Sequence, residues 1–143
     1  MMRWARISAT AHSVAATLAH GALETDWQIH ELYEGGTPRF ESDWAGKTGV
    51  SEPTPHQTLK WAQNVRLDKA AFDKYAQAIY DDLDQYIKNL SEEDIDRPID
   101  MSILNAGEKP LSGCLNNVVS AHLNSLAGEI SAVKGVQGLI GYP

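Results

Sequence analysis

From Phe72 onward, apolar residues recur at steps of three and four, at Tyr75, Ile79, Leu83, Tyr86 and Leu90. That spacing places them on one side of an α-helix and rules out a strand, which would need alternation. Lys69, Asp73, Lys74, Gln77, Asp81, Asp82, Asp84 and Gln85 fill the remaining positions, so the stretch predicts an amphipathic helix from Leu67 to Leu90, with Ala71 at its start. A helix this long with one apolar stripe needs partners of the same kind, and two other segments supply them. Val14, Leu18, Ala22, Ile29 and Leu32 predict a helix from Ser8 to Tyr33, ended by Gly35-Gly36 in the manner of a glycine cap. Leu111, Leu115, Val118, Val119, His122, Leu126, Ile130 and Val133 predict a third helix, starting near Pro110 and broken at Gly135 and Gly138.

The segments between are irregular. Gly35 to Asn64 carries Pro38, Pro53 and Pro55 together with Phe40, Trp44 and Trp61, and a connector this aromatic is expected to fold over the helices. Within it, Thr54 is the expected N-cap and Pro55 the first residue of a short helix. Ser91-Glu-Glu-Asp94 reads as a second cap, and Asp96 to Glu108 as a hairpin-like excursion around Asn105-Ala-Gly107. The 143 residues are expected to form one all-α bundle domain, residues 1–143.

Nineteen acids against twelve bases give a net charge of −7, with no basic stripe. Binding to nucleic acid phosphates or to anionic membranes is therefore not expected. Cys114 is the single cysteine, so no intramolecular disulfide can form. Arg3 and Arg6 precede an alanine-rich run from Ile7 to Ala19, but Ser8, Thr10, His12, Ser13 and Thr17 interrupt it, unlike a secretory leader. No stretch approaches the roughly 20 apolar residues that span a bilayer. The expected location is cytoplasmic.

Several stretches together resemble one family. Ser13-Val-Ala-Ala-Thr-Leu-Ala-His20 with Glu24, Asp26 and Trp27 looks like the first-ligand helix of the DinB-like superfamily of four-helix bundles. Leu67-Asp68 with Tyr75 looks like the opening of its long middle helix, and Leu90-Ser-Glu-Glu-Asp-Ile-Asp-Arg97 like the turn that follows. Leu111 to His122, then Gly128-Glu-Ile130 and Lys134-Gly-Val-Gln-Gly138, look like its last helix. The resemblance covers about nine tenths of the chain. It implies an up-down helical bundle, and a divalent cation, zinc or nickel, held by three histidines: one from the early helix and an i, i+4 pair from the last. It also implies kinship with metal-dependent thiol S-transferases and hydrolases.

Carried over by position, His20 matches the first ligand and His122 the second, while Leu126 stands where the third belongs. Glu24, one turn from His20, is the substitute donor; Asp26 is near in sequence but points elsewhere, and Glu129 lies two turns, about 10 Å, from His122. A catalytic metal usually has three protein ligands and a water. The expectation is therefore an incomplete metal site in a protein of unassigned activity, with no catalytic residue. The alternatives are a metal-dependent thiol transferase or hydrolase using His20 and His122, and a small-ligand-binding or structural dimeric module with an apolar pocket around His122, Leu126 and Trp27. The family's full helix before the first-ligand helix is shortened here, so a symmetric homodimer burying the first and last helices is expected.

The other candidates read as structural. His12 is about 12 Å from His20 along the helix, and His30 and His56 are expected to be solvated. Cys114 has no cationic neighbour to activate it. Asp81, Asp82 and Asp84 read as a solvated face, and Glu92, Glu93 and Asp94 as a cap. Trp27, Tyr33, Phe40, Trp44 and Trp61 read as a core under the connector, or as the mouth of a ligand site.

Overall fold

The computed structural model describes residues 13–141. The expected start of the first helix at Ser8, His12 and the part of the alanine-rich run before Ser13 lie outside the described residues. Among the described residues the chain is mostly helical: four helices and a small two-stranded hairpin. No helix among them is long and apolar enough to cross a membrane.

The first helix, α1 (Val14–Trp27), begins at Val14 because Ser13 takes an extended backbone and its hydroxyl accepts from the Ala16 N–H at 3.1 Å. Nearly every position of α1 is buried, on all sides. That is the position of a central helix, and it explains why its sequence lacks a clean stripe. The helix then widens into a π-helical turn (Gln28–Leu32) and stops at Gly35, whose φ of +69° suits only a residue without a side-chain clash.

The connector follows. It holds a 3₁₀ turn (Arg39–Glu41) and α2 (Leu59–Asn64). The cap of α2 is Thr58, accepting from the Trp61 N–H at 3.2 Å, rather than the expected Thr54. Thr54 makes a local turn instead, accepting from the His56 N–H at 3.1 Å. With two threonines four residues apart, Pro55 drew the expectation to the wrong one.

The long helix α3 (Lys69–Asn89) is as expected, capped by Asp68, which accepts from the Ala70 and Ala71 N–H groups. Phe72, Tyr75, Ile79 and Leu83 are its buried stripe. Beyond it, Ser91 and Asp94 bond reciprocally, the Ser91 N–H to Asp94 Oδ2 at 2.8 Å and the Asp94 N–H to Ser91 Oγ at 3.2 Å. Strands β1 (Pro98–Asp100) and β2 (Glu108–Pro110) pair antiparallel with Ile99 opposite Lys109. Asn105 and Gly107, both at positive φ, turn the chain between them.

The last helix runs as α4 (Leu111–Leu115), a π-helical segment (Asn116–His122) and α5 (Leu123–Val136) without interruption. Gly135 stays within it; the break is at Gly138, with φ +75°.

α1 packs against α3 on one side and α5 on another. One apolar cluster joins α1, α3 and the connector, with Leu23, Trp27, Phe40, Trp61 and Tyr75 at its centre. A second gathers Ile29, Tyr33, Leu83, Ile99, Leu111 and Cys114 where the hairpin meets the helix ends. Of the five aromatics expected under the connector, Tyr33 belongs to this second cluster. Arg97 fastens the hairpin to the end of the first helical run, bonding the Tyr33 carbonyl at 2.8 Å and Glu34 at 2.6 Å.

Candidate functional site

α1 packs against the last helix, and their contact brings His20 and His122 together. The two imidazoles meet edge to face, with centroids 4.8 Å apart and planes 83° apart. A third element reaches them: the side-chain oxygen of Gln57, in the loop before α2, bonds His20 Nδ1. Nε2 of His122 is buried with no hydrogen-bond partner. Burial, and next the neighbouring His20, push the His122 pKa below its ordinary value, so its neutral imidazole is favoured.

Glu24 sits one turn below His20 and is buried. Its carboxylate is part of a polar run along α1: Gln28 Nε2 donates to Glu24 Oε1 at 2.9 Å, and the Tyr33 hydroxyl donates to Gln28 Oε1 at 2.7 Å. Burial raises the Glu24 pKa, opposed by the Gln28 bond and by His20.

Leu126 packs into the seam between the helices. A Cβ placed on Gly21 would lie 3.2 Å from Leu126 Cδ1 and 3.6 Å from Leu123 Cδ2, so the missing side chain at Gly21 is what lets the helices approach. Beside this seam is a groove of about 380 Å³, lined by Thr17, Leu18, Gly21, Tyr80, Leu123, Leu126, Ala127 and Ile130. It differs from the expected pocket, because Leu126 lines it but His122 and Trp27 do not.

The cation implied by the resemblance can be tested against these donors. The unpartnered His122 Nε2 beside His20 suits it. The third seat is filled by a packed leucine, and Glu24 is committed to Gln28. Among the described residues no three His, Cys, Asp or Glu side chains are grouped so as to hold a metal ion. His20 and His122 would supply two of the three protein ligands such a cation usually takes, so the residues present do not fit it and no chemical step follows from a metal here.

The remaining candidates fall elsewhere. His30 is half-buried and paired, not solvated: its Nδ1 donates to Asp26 Oδ1 at 2.7 Å and its Nε2 lies 3.5 Å from Asp82. The cause is Asp26, which faces the connector, away from His20. Its two oxygens accept from His30, from the Arg39 and Phe40 N–H groups at 2.9 Å each, and from the Tyr75 hydroxyl at 2.7 Å. The i, i+4 spacing of Asp26 and His30 was visible in the sequence and is the signal that would have found this pair. Asp82 likewise leaves the expected solvated face, bonding Arg39 at 2.8 Å. His56 is exposed. Burial raises the Cys114 thiol pKa, which leaves it a weak nucleophile. Gln57 was not singled out by sequence, since a glutamine in a polar loop carries no spacing signal.

No known family model matches the chain, and neither does any curated protein.

Proposed function

We propose that this chain is a DinB-like helical module whose two-histidine site binds a small molecule and does not work as a metalloenzyme. The order of a first helix bearing His20, a long middle helix and a last helix bearing His122 supports the family reading. One observation carries the rest: His122 Nε2 is buried and unpartnered beside His20, while Leu126 fills the neighbouring seat in the helix seam. An unpaired buried polar group costs about 1–3 kcal/mol, which a ligand with a matching polar group recovers. A cation held by two neutral imidazoles in these surroundings lacks the third donor that would offset its dehydration.

Elemental analysis of protein purified without chelator is expected to show well under one zinc or nickel per chain. Leu126→His is expected to bind zinc at least ~10-fold more tightly than the parent, because it restores the i, i+4 pair with His122. Thermal shifts across a small-molecule library are expected to yield ligands whose stabilisation disappears in His122→Phe. A ligand at 100 times its Kd adds about 2.7 kcal/mol, a readily measured shift. A stoichiometric metal in the parent protein overturns the reading and favours the thiol transferase or hydrolase alternative.

A further inference from the structure

Gln57 has both ends of its side-chain amide committed. Its Nε2 donates to the Thr54 carbonyl at 2.9 Å. The oxygen end is therefore the one that meets Nδ1 of His20. An amide oxygen can only accept, so Nδ1 must carry the proton, and a neutral imidazole carries one proton. The lone pair of His20 then lies on Nε2.

We propose that Gln57 is the positioning residue of His20: it holds the imidazole as the Nδ1–H tautomer and makes the histidine pair a site for ligand groups that donate a hydrogen bond. Imidazole side chains in water favour the opposite tautomer, with the proton on Nε2, so Gln57 reverses the default. The selectivity follows from the same chemistry. A bound N–H or O–H group finds an acceptor at His20 Nε2, whereas a carbonyl or carboxylate oxygen, itself an acceptor, finds no donor there. The long connector thereby contributes to a site that α1 and the last helix would otherwise form alone. This inference rests on the reading of the histidine pair as the ligand site.

Two-bond ¹H–¹⁵N correlation of the labelled full chain at neutral pH reads the tautomer directly. His20 is expected to show a protonated, pyrrole-type Nδ1 and a pyridine-type Nε2. In Gln57→Leu the pattern is expected to revert to Nε2–H, a change that a merely structural role for Gln57 would not produce. A parent protein with His20 in the Nε2–H form overturns the proposal without recourse to any variant. Zinc alone gives a second readout in Leu126→His, where adding Gln57→Leu is expected to weaken binding 10–100-fold, the usual effect of losing the partner that orients a ligating histidine. Unchanged zinc affinity overturns the proposal. The two readings fail separately: a metal-bearing parent with the Nδ1–H tautomer overturns the non-catalytic reading and the donor-ligand selectivity but supports the positioning of His20 by Gln57, while a metal-free parent with Nε2–H overturns the positioning and leaves the non-catalytic reading standing.

Discussion

Asp26 shows how one side chain can organise a fold that its neighbours in sequence do not announce. It is fully buried, yet all four of its strong acceptor positions are used, by two backbone N–H groups, a tyrosine hydroxyl and an imidazole. Burial first, and then the Asp26 carboxylate, hold the Tyr75 hydroxyl in its protonated, donating form. Removing the carboxylate strands these donors in the interior. Asp26→Ala is expected to lower unfolding free energy by about 3–5 kcal/mol, the usual cost of breaking a buried charged network by deleting one partner. Urea denaturation followed by tryptophan fluorescence checks this, because Trp44 and Trp61 report on the connector that Asp26 anchors. A loss below about 1 kcal/mol would mean that the network carries little. At this scale the sequence was only partly legible. His20 and His122 were paired through the family resemblance, and they do meet. Gln57 and the Asp26 acceptor set were not found, because both depend on where the 30-residue connector Gly35 to Asn64 lands, and no local spacing encodes that.

Elements were easier to read where periodicity dominated. The stripe of α3 needed no tertiary information, and the Asn105–Gly107 turn followed from residues that tolerate positive φ. The π-helical segments at Gln28–Leu32 and Asn116–His122 were not legible, since one extra residue per turn leaves almost no trace in an apolar pattern. The connector was legible as a cover but not in its docking. Its hold on α3 depends on Gly49, whose φ is +72° and whose carbonyl accepts from the Asp68 N–H at 2.8 Å. A Cβ there would sit 2.4 Å from the Phe72 nitrogen and 2.6 Å from the Asp68 carbonyl oxygen, both backbone atoms of the first turn of α3. Backbone cannot step aside as a side chain can. Gly49→Ala is therefore expected to cost roughly 2–5 kcal/mol, combining the left-handed conformation with overpacking. Chemical denaturation measures it, and a loss under about 1 kcal/mol would show that the connector can shift as a body.

For the whole molecule, the His30 cluster ties three parts of the chain together, and pH sets how firmly. His30 lies on the first helical run, Asp82 on α3, and Arg39 on the connector, where it pairs with both Asp82 and Asp43. Bonding to Asp26 raises the His30 pKa above its ordinary value of 6.5, burial opposes the rise, and the charges of Asp26 and Asp82 add to it. A histidine whose pKa is raised on folding binds its proton more tightly in the native state. Its contribution is fully present below about pH 6.5 and is lost as pH climbs through the raised native value. Glu24 and His122 also titrate differently in the folded protein, His122 with the opposite sign, but both are common to the parent and a His30 variant and cancel in the difference. The stability gap between the parent and His30→Gln is therefore expected to be wider at about pH 5.5 than at about pH 8, when both are unfolded with urea. A gap that stays constant, or that widens toward alkaline pH, would mean that the imidazole joins the three parts as a neutral hydrogen-bond donor and not through its charge.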